Sequence, residues 1–303
     1  MAITRLSTAQ QFAFLSERVP QLEVTLNELR EQVASGKRLT SAIQDPFAAA
    51  SVLRFNADLS SLAQHDTTSQ FGTTVLGVED KVLTDAKSLI VRAEEIATQM
   101  SSSTNSADER LAAAEEVHGL LEAMTALGNT EFEGRRIFAG LALESAPPFA
   151  DPNTPGYTAA TAFDPAATYE FEVKVGNTPS ERVRISTRGD TVFTDALVSL
   201  EALEGELRSA TPDVPGTLDA LKQARDTLAA EQSSAGVRMS GLITRTDQVH
   251  GLTLKVQEAR SRTQDADLTV VIAQLTQAQT ALQALLGLGS QLAQLSLTNL
   301  LRL

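Results

Sequence analysis

Residues 268–292 read LTVVIAQLTQAQTALQALLGLGSQL, and in them Leu268, Val271, Leu275, Ala278, Leu282, Leu285, Gly289 and Leu292 recur three or four residues apart. That spacing sets apolar groups along one face of an α-helix. The other end of the chain carries a similar row, Phe12, Leu15, Val19, Leu22, Leu26, Leu29 and Val33. A helix whose apolar face is a narrow stripe cannot bury it alone. Each end therefore needs a helical partner, either the other end or a neighbouring molecule. Periodicity leaves the private core of a helical bundle and an intermolecular assembly equally open. The run 277–284 favours assembly, because it is small and uncharged around most of the helix. No Asp, Glu, Lys or Arg occurs from 268 through 301, and such a helix is expected to pack on several sides.

Working outward from the N-terminal row, the sequence Ser35-Gly36-Lys37-Arg38 predicts a break. Asp45-Pro46 then predicts a helix start, with Asp45 as N-cap and Pro46 at the first helical position. The second helix is long. Val52, Phe55, Leu59 and Leu62 mark its first part, and Val75, Val78, Val82, Ala86, Leu89, Ala93, Ile96 and Met100 its second. Polar residues 101–105 end it, since their side chains compete for backbone hydrogen bonds. Ser106 with Glu109 forms a capping-box pattern that opens a third helix through Leu111, Val117, Leu121, Met124 and Leu127.

From about residue 146 the character changes, and Pro147, Pro148, Pro152, Pro155 and Pro165 disfavour helix. Tyr169, Phe171, Val173 and Val175 alternate with Glu170, Glu172 and Lys174, while Val183 and Ile185 alternate with Arg182 and Arg184. This predicts an exposed hairpin with one wet face, where Glu opposite Arg helps to set register. Helix returns at Asp195 with Leu197, Leu200, Leu203 and Leu207, and stops around Pro212 to Pro215. A last long helix places Leu218, Leu221, Leu228, Ala235, Met239, Leu242 and Val249 on one heptad grid, with Arg225, Gln232 and Thr246 as polar occupants.

The predicted fold is mainly α with a small β-rich insertion. It is an elongated rod of long antiparallel helices whose two chain ends pair as a coiled coil, with a β head in the middle of the chain. Five segments follow: 1–45, an N-terminal coiled-coil segment; 46–140, an outgoing helical rod; 141–193, the β-rich head; 194–262, a returning rod; and 263–303, a C-terminal coiled-coil segment.

Composition argues against several functions. The 303 residues carry 38 Asp plus Glu against 25 Lys plus Arg, a formal charge of -13 that would repel phosphate backbones and anionic lipid. Neither nucleic acid nor membrane is an expected partner. With no Cys, no Trp and 4% aromatics, helix packing must carry stability. The first residues lack the apolar core of a cleaved secretory signal, and no stretch is long enough to span a bilayer.

Apparent chemical motifs fail on inspection. Gly36-Lys37 resembles the end of a phosphate loop, but Glu31 stands where the first Gly belongs and Arg38 where a magnesium-binding hydroxyl belongs. Gly287-Leu288-Gly289 has Leu292 in place of the third glycine of a dinucleotide loop. His65, His118 and His250 are isolated in sequence, and Asp265 with Asp267 reads as the acidic start of a helix. No catalytic, cofactor-binding or metal-binding residues are expected, and the chain is not expected to be an enzyme.

A resemblance covers roughly residues 1–140 and 250–303. Ser35-Gly36-Lys37-Arg38-Leu39 followed by Asp45-Pro46, Asn129-Thr130-Glu131-Phe132-Glu133-Gly134, Asp265-Ala266-Asp267 and Ser296-Leu297-Thr298-Asn299-Leu300-Leu301 together resemble the bacterial flagellin family. Within that family Ser7-Thr8-Ala9-Gln10 and Arg135-Arg136-Ile137-Phe138-Ala139-Gly140 resemble members of the hook–filament junction more than filament flagellin. The chain departs from the junction members at Arg136 (usually Tyr) and from the family at Gln44 (usually Asp) and Leu300 (usually aromatic).

The resemblance implies an extracellular flagellar protein, exported without a cleaved signal peptide. Its terminal helices would assemble into a helical or ring-like homo-oligomeric zone, with another hook-associated junction protein and flagellin as neighbours and an export chaperone on the C-terminal segment. The assembly seam would be the two apolar rows, and the signature turns Gly36, Arg38, Asp45, Pro46, Ile137, Phe138 and Gly140. A filament-forming flagellin and, more remotely, a cytosolic coiled-coil scaffold are the alternatives.

Overall fold

A computed structural model describes residues 8–102, 105–139, 147–164, 171–176, 181–209 and 213–300, with side chains at 8, 9, 11, 12 and 292–300 outside that description. The expectations at Ser7, Gly140, Pro165, Tyr169, Glu170, Pro212 and Leu301, and those for the Phe12 and Leu292 side chains, lie outside the described residues.

Six helices dominate: α1 Thr8–Ser35, α2 Pro46–Met100, α3 Ala107–Gly128, α4 Gly189–Arg208, α5 Val214–Gln264 and α6 Leu268–Leu300. Two short antiparallel pairs accompany them, β1 Glu131–Phe132 with β2 Arg135–Arg136, and β3 Glu172–Lys174 with β4 Arg182–Arg184. The mainly helical fold with a small β insertion is thus as expected. The chain divides into two compact units, Met1–Ser61 with Leu252–Leu303, and Leu62–Gly251.

Helix starts follow local chemistry. Asp45 Oδ1 accepts from the Ala48 amide at 2.9 Å, so Asp45 caps α2 and Pro46 occupies a position whose N–H would have no intrahelical partner. Ser106 and Glu109 form a complete capping box on α3. Asp267 Oδ1 accepts from the Thr269 and Val270 amides at 2.9 and 3.3 Å, which opens α6. α4 begins at Gly189, six residues before the expected Asp195. Its first turn buries Val192 and Phe193, whose β-branched and aromatic character carries little helix signal by itself.

In unit 62–251, α2, α3, α4 and α5 enclose one core. Phe138 meets Phe193 edge to face at 4.8 Å between ring centroids, and Phe149 meets the same ring at 5.7 Å. The α5 grid is a strict heptad, with Leu221, Leu228, Ala235, Leu242 and Val249 all buried. Two of its polar positions are paired: Arg225 Nη1 donates to Glu94 at 2.8 Å and Gln232 Nε2 to Asp80 at 3.0 Å. Along α2 the expected row is covered, and a second row (Leu76, Leu83, Ile90 and Ala97) is buried as well. Leu111, placed on the α3 stripe by spacing, is 46% exposed, and Ala113, Ala114 and Val117 fill the buried face instead.

The β3–β4 hairpin sets Glu172 opposite Arg184, as expected, and Val173 opposite Val183. It is less exposed than its alternation suggests. Val173, Val175 and Ile185 are buried in a cluster with Val75, Leu76, Ala235 and Leu242 of α2 and α5. Arg245 on α5 fastens it further, donating from Nη2 to Glu181 at 2.7 Å and from Nε to the Val175 carbonyl at 3.1 Å.

Candidate assembly surfaces

α1 and α6 lie in the same unit and pack on each other. Leu26, Leu29, Val271 and Ala278 are buried in one cluster, with Leu22, Val33, Ala266, Leu275 and Leu282 half-buried against it. The helices run antiparallel. The Ala266 amide donates to the Gly36 carbonyl at 3.0 Å at one end, and Leu15 faces Gly289 towards the other. There Leu15, Val19, Leu285 and Gly289 line an open apolar cleft of about 430 Å³ that also touches Pro20. Pro20 was not anticipated inside α1; it removes one N–H from the helix ladder.

Residues Leu22 to Val33 of one row therefore pack with Val271 to Leu282 of the other. Leu268 is 45% exposed. It opens α6, and on this side the covered residues are Ala266 and Val271 instead. The rest of α6 presents an uncharged surface on which Val270, Ile272, Leu286 and Leu288 are each about half exposed.

The signature turns have explicit structural roles. Gly36 takes φ +69, a conformation that costs a residue with Cβ roughly 1 kcal/mol or more. Its left-handed turn lets the backbone return along the chain end that leads into α6. The Arg38 amide donates to the Gln264 carbonyl at 2.8 Å, and Arg38 Nη2 to the Thr263 carbonyl at 2.8 Å. Arg38 thus acts through its guanidinium and its backbone together, fixing the α1–α2 turn to the end of α5. Gln44 also has a use: its Oε1 accepts from the Thr40 and Ser41 amides, each at 3.4 Å, closing the turn before Asp45.

In the second turn, Glu133 at φ 50 and Gly134 at φ 74 join β1 to β2, the two positive φ values that a tight hairpin turn of this kind requires. Arg136 Nη1 donates to the Asn129 carbonyl at 3.1 Å, so the departure from the usual Tyr is absorbed by a hydrogen bond. Ile137 and Phe138 are buried in the core, and the Gly189 amide donates to the Phe138 carbonyl at 3.2 Å. Sequence reading missed the side chain that holds this corner. The Asn129 amide pairs with the backbone of Phe149, donating to its carbonyl and accepting from its N–H at 2.9 Å each.

The histidines sit in local networks. His118 Nδ1 lies 3.1 Å from Glu204 Oε2 and Nε2 lies 3.3 Å from Asn153 Oδ1. Both partners are acceptors, so the doubly protonated ring satisfies both, and the Glu204 hydrogen bond leads the causes that raise the His118 pKa. His250 Nε2 lies 3.1 Å from Asp66. Among the described residues no group of three or more His, Asp or Glu could hold a metal ion, and no helix is long and apolar enough to cross a membrane.

Comparison with known proteins gives these surfaces a context. Residues 7–142 match the sequence profile of the bacterial flagellin N-terminal helical region. Over 154 residues the chain is 29% identical to flagellar hook-associated protein 3 of Salmonella typhimurium, a match spanning 50% of this chain and 48% of that protein. Over 118 residues it is 32% identical to flagellar hook-associated protein 3 of Escherichia coli, spanning 39% and 37%. The aligned stretch thus covers less than half the length of either relative. A solved structure of a candidate flagellar hook-associated protein from Vibrio parahaemolyticus shares the fold, with a TM-score of 0.63 at 15% identity over 73% of this chain and 100% of that one.

Proposed function

We propose that this chain, whose residues 7–142 carry the flagellin N-terminal helical region and whose relatives are named flagellar hook-associated protein 3, is a structural component of the bacterial flagellum at the junction of hook and filament. It acts by packing. α1 and α6 form an antiparallel coiled coil, and copies join through it into a short helical or ring-like zone. Neighbours are further copies of the chain, a second hook-associated junction protein and flagellin. The protein is exported without a cleaved signal, with a chaperone covering the C-terminal segment before assembly, and it catalyses nothing.

The observation that carries this reading is the state of α6. One face is used on α1, yet the helix has no charged residue and leaves Val270, Ile272, Leu286 and Leu288 about half exposed. Uncharged apolar surface on a helix that is already paired supports a further packing partner. The seam itself gives the test. Leu26→Asp places a carboxylate where Leu26 is 2% exposed among apolar neighbours. In flagellated cells the variant should be exported into the medium but be missing from purified flagella. A motile strain whose flagella contain the variant at wild-type level would refute the seam as the assembly element.

A further inference from the structure

A buried charged cluster in unit 62–251 plays no part in this assembly reading. Glu79, on α2, has a side chain with no exposure to solvent. Its Oε1 accepts from the Thr187 hydroxyl at 2.5 Å and from Arg238 Nη2 of α5 at 3.2 Å, while Arg238 Nη2 also donates to the Thr187 oxygen at 2.8 Å. Thr187 follows β4 by three residues. Its neighbour Ser186 accepts the Phe171 amide on Oγ at 2.8 Å, at the entrance of β3. The cluster therefore ties the chain leaving β4 to the α2 and α5 helices, and Ser186 links that point to the start of β3, beside the apolar contact of Val173, Val175 and Ile185.

Charge in this cluster is unbalanced. From α5 the ionisable groups facing Glu79 are Arg238 and Glu231, and from the segment before α4 there is the neutral Thr187. The hairpin turns apolar residues to this side and keeps Glu172, Lys174 and Arg182 exposed. Arg238 is thus paired with Glu79, while the Glu231 charge acts on Glu79 in the opposite sense. Glu79 Oε2, Glu231 Oε2 and Arg238 Nη1 are buried without a hydrogen-bond partner. A buried charged oxygen that accepts nothing is costly, and a proton is the smallest group that removes the cost. Burial is the main cause holding the Glu79 carboxyl above its ordinary value of 4.5; the Glu231 charge adds to it, and Thr187 and Arg238 oppose it.

We propose that the Glu79, Arg238 and Thr187 cluster, with Glu231 beside it, is a proton-dependent clasp that holds the β3–β4 hairpin to α2 and α5 more tightly in acid. When the hairpin opens, Glu79 meets water and its affinity for a proton falls to the ordinary value. The closed form then binds the proton more strongly, so acidification favours closure. The effect is complete at pH values below the ordinary carboxyl value and lost as pH rises through the closed-state value. Within that window a single proton changes the opening constant by at most about tenfold per pH unit.

The experiment is hydrogen exchange of the Val175 and Ile185 amides, which bond to the Glu181 and Phe171 carbonyls, in the full chain between pH 7.5 and 4.5. After correction for intrinsic exchange, the wild-type opening constant should fall with acid, and in Glu79→Gln the fall should be absent. An equal fall in both proteins, or none in the wild type, overturns the clasp. A second measurement needs no variant: carbon NMR of the Glu79 carboxyl in the wild-type chain should give a midpoint above 4.5, and a midpoint at or below that value overturns the proposal.

Discussion

Leu26→Ala tests how much of the α1–α6 pairing rests on its buried centre. Leu26 is 2% exposed and packs with Leu29, Val271 and Ala278. Truncation removes three carbons beyond Cβ, about 2.4 kcal/mol at roughly 0.8 kcal/mol for each buried methylene. The space left between two helices adds a cavity term, and the total should fall within about 2–5 kcal/mol. At the lower bound, opening of the helix pair rises about 30-fold. Hydrogen exchange of the α6 amides from Val271 to Ala278 reads this directly. Val24→Ala is the control, because Val24 lies on the same helix but is 59% exposed and its truncation should cost under about 0.5 kcal/mol. If Leu26→Ala and Val24→Ala accelerate exchange equally, the helices do not depend on this seam and the packing argument fails.

Two further outcomes are expected. His118 is more basic in the folded chain than its ordinary value of 6.5, chiefly through Glu204, so its contribution to stability is full below that value and is lost as pH rises through the folded one. Thermal unfolding from pH 5.5 to 8.5 should show this decline, and His118→Asn should flatten it; an identical slope would rule the network out. Ser106→Ala deletes the side chain that accepts the Glu109 amide and should lower the melting temperature by about 2–4 °C, the effect of losing an N-cap in a module of this size. An unchanged melting temperature would mean that α3 does not need its capping box.

Features set by neighbouring residues were legible in the sequence. Asp45-Pro46, Ser106 with Glu109 and the α5 heptad each depend on side chains within a turn or two, and each appears as expected. The hairpin's two strands and a Glu opposite an Arg followed from alternation and charge. Features set by residues far apart were not. The second buried row of α2 exists because that helix is covered on more than one side: Leu83, Ile90 and Ala97 share a core with α3, α4 and α5, and Leu76 packs with the hairpin, which a single stripe cannot reveal. The Asn129 clamp on Phe149 joins positions 20 residues apart, and Arg238 reaches Glu79 across 159. Leu268 differs in the opposite way: spacing put it in the seam, but it is 45% exposed while its neighbour Ala266, outside the row, packs against the α1–α6 cluster. The meeting of the two terminal rows was expected as one of two possibilities. Periodicity says only that a partner helix is needed; Leu26 and Leu29 of α1 are buried in one cluster with Val271 and Ala278 of α6.

Immunogold electron microscopy of flagellated cells that make this protein, with an antibody raised against the full chain, tests the central claim most directly. Gold confined to a short band where the hook meets the filament is the predicted result. Gold along the entire filament would make the chain a filament subunit, and abundant protein inside the cell with none on the flagellum would contradict the extracellular assembly account.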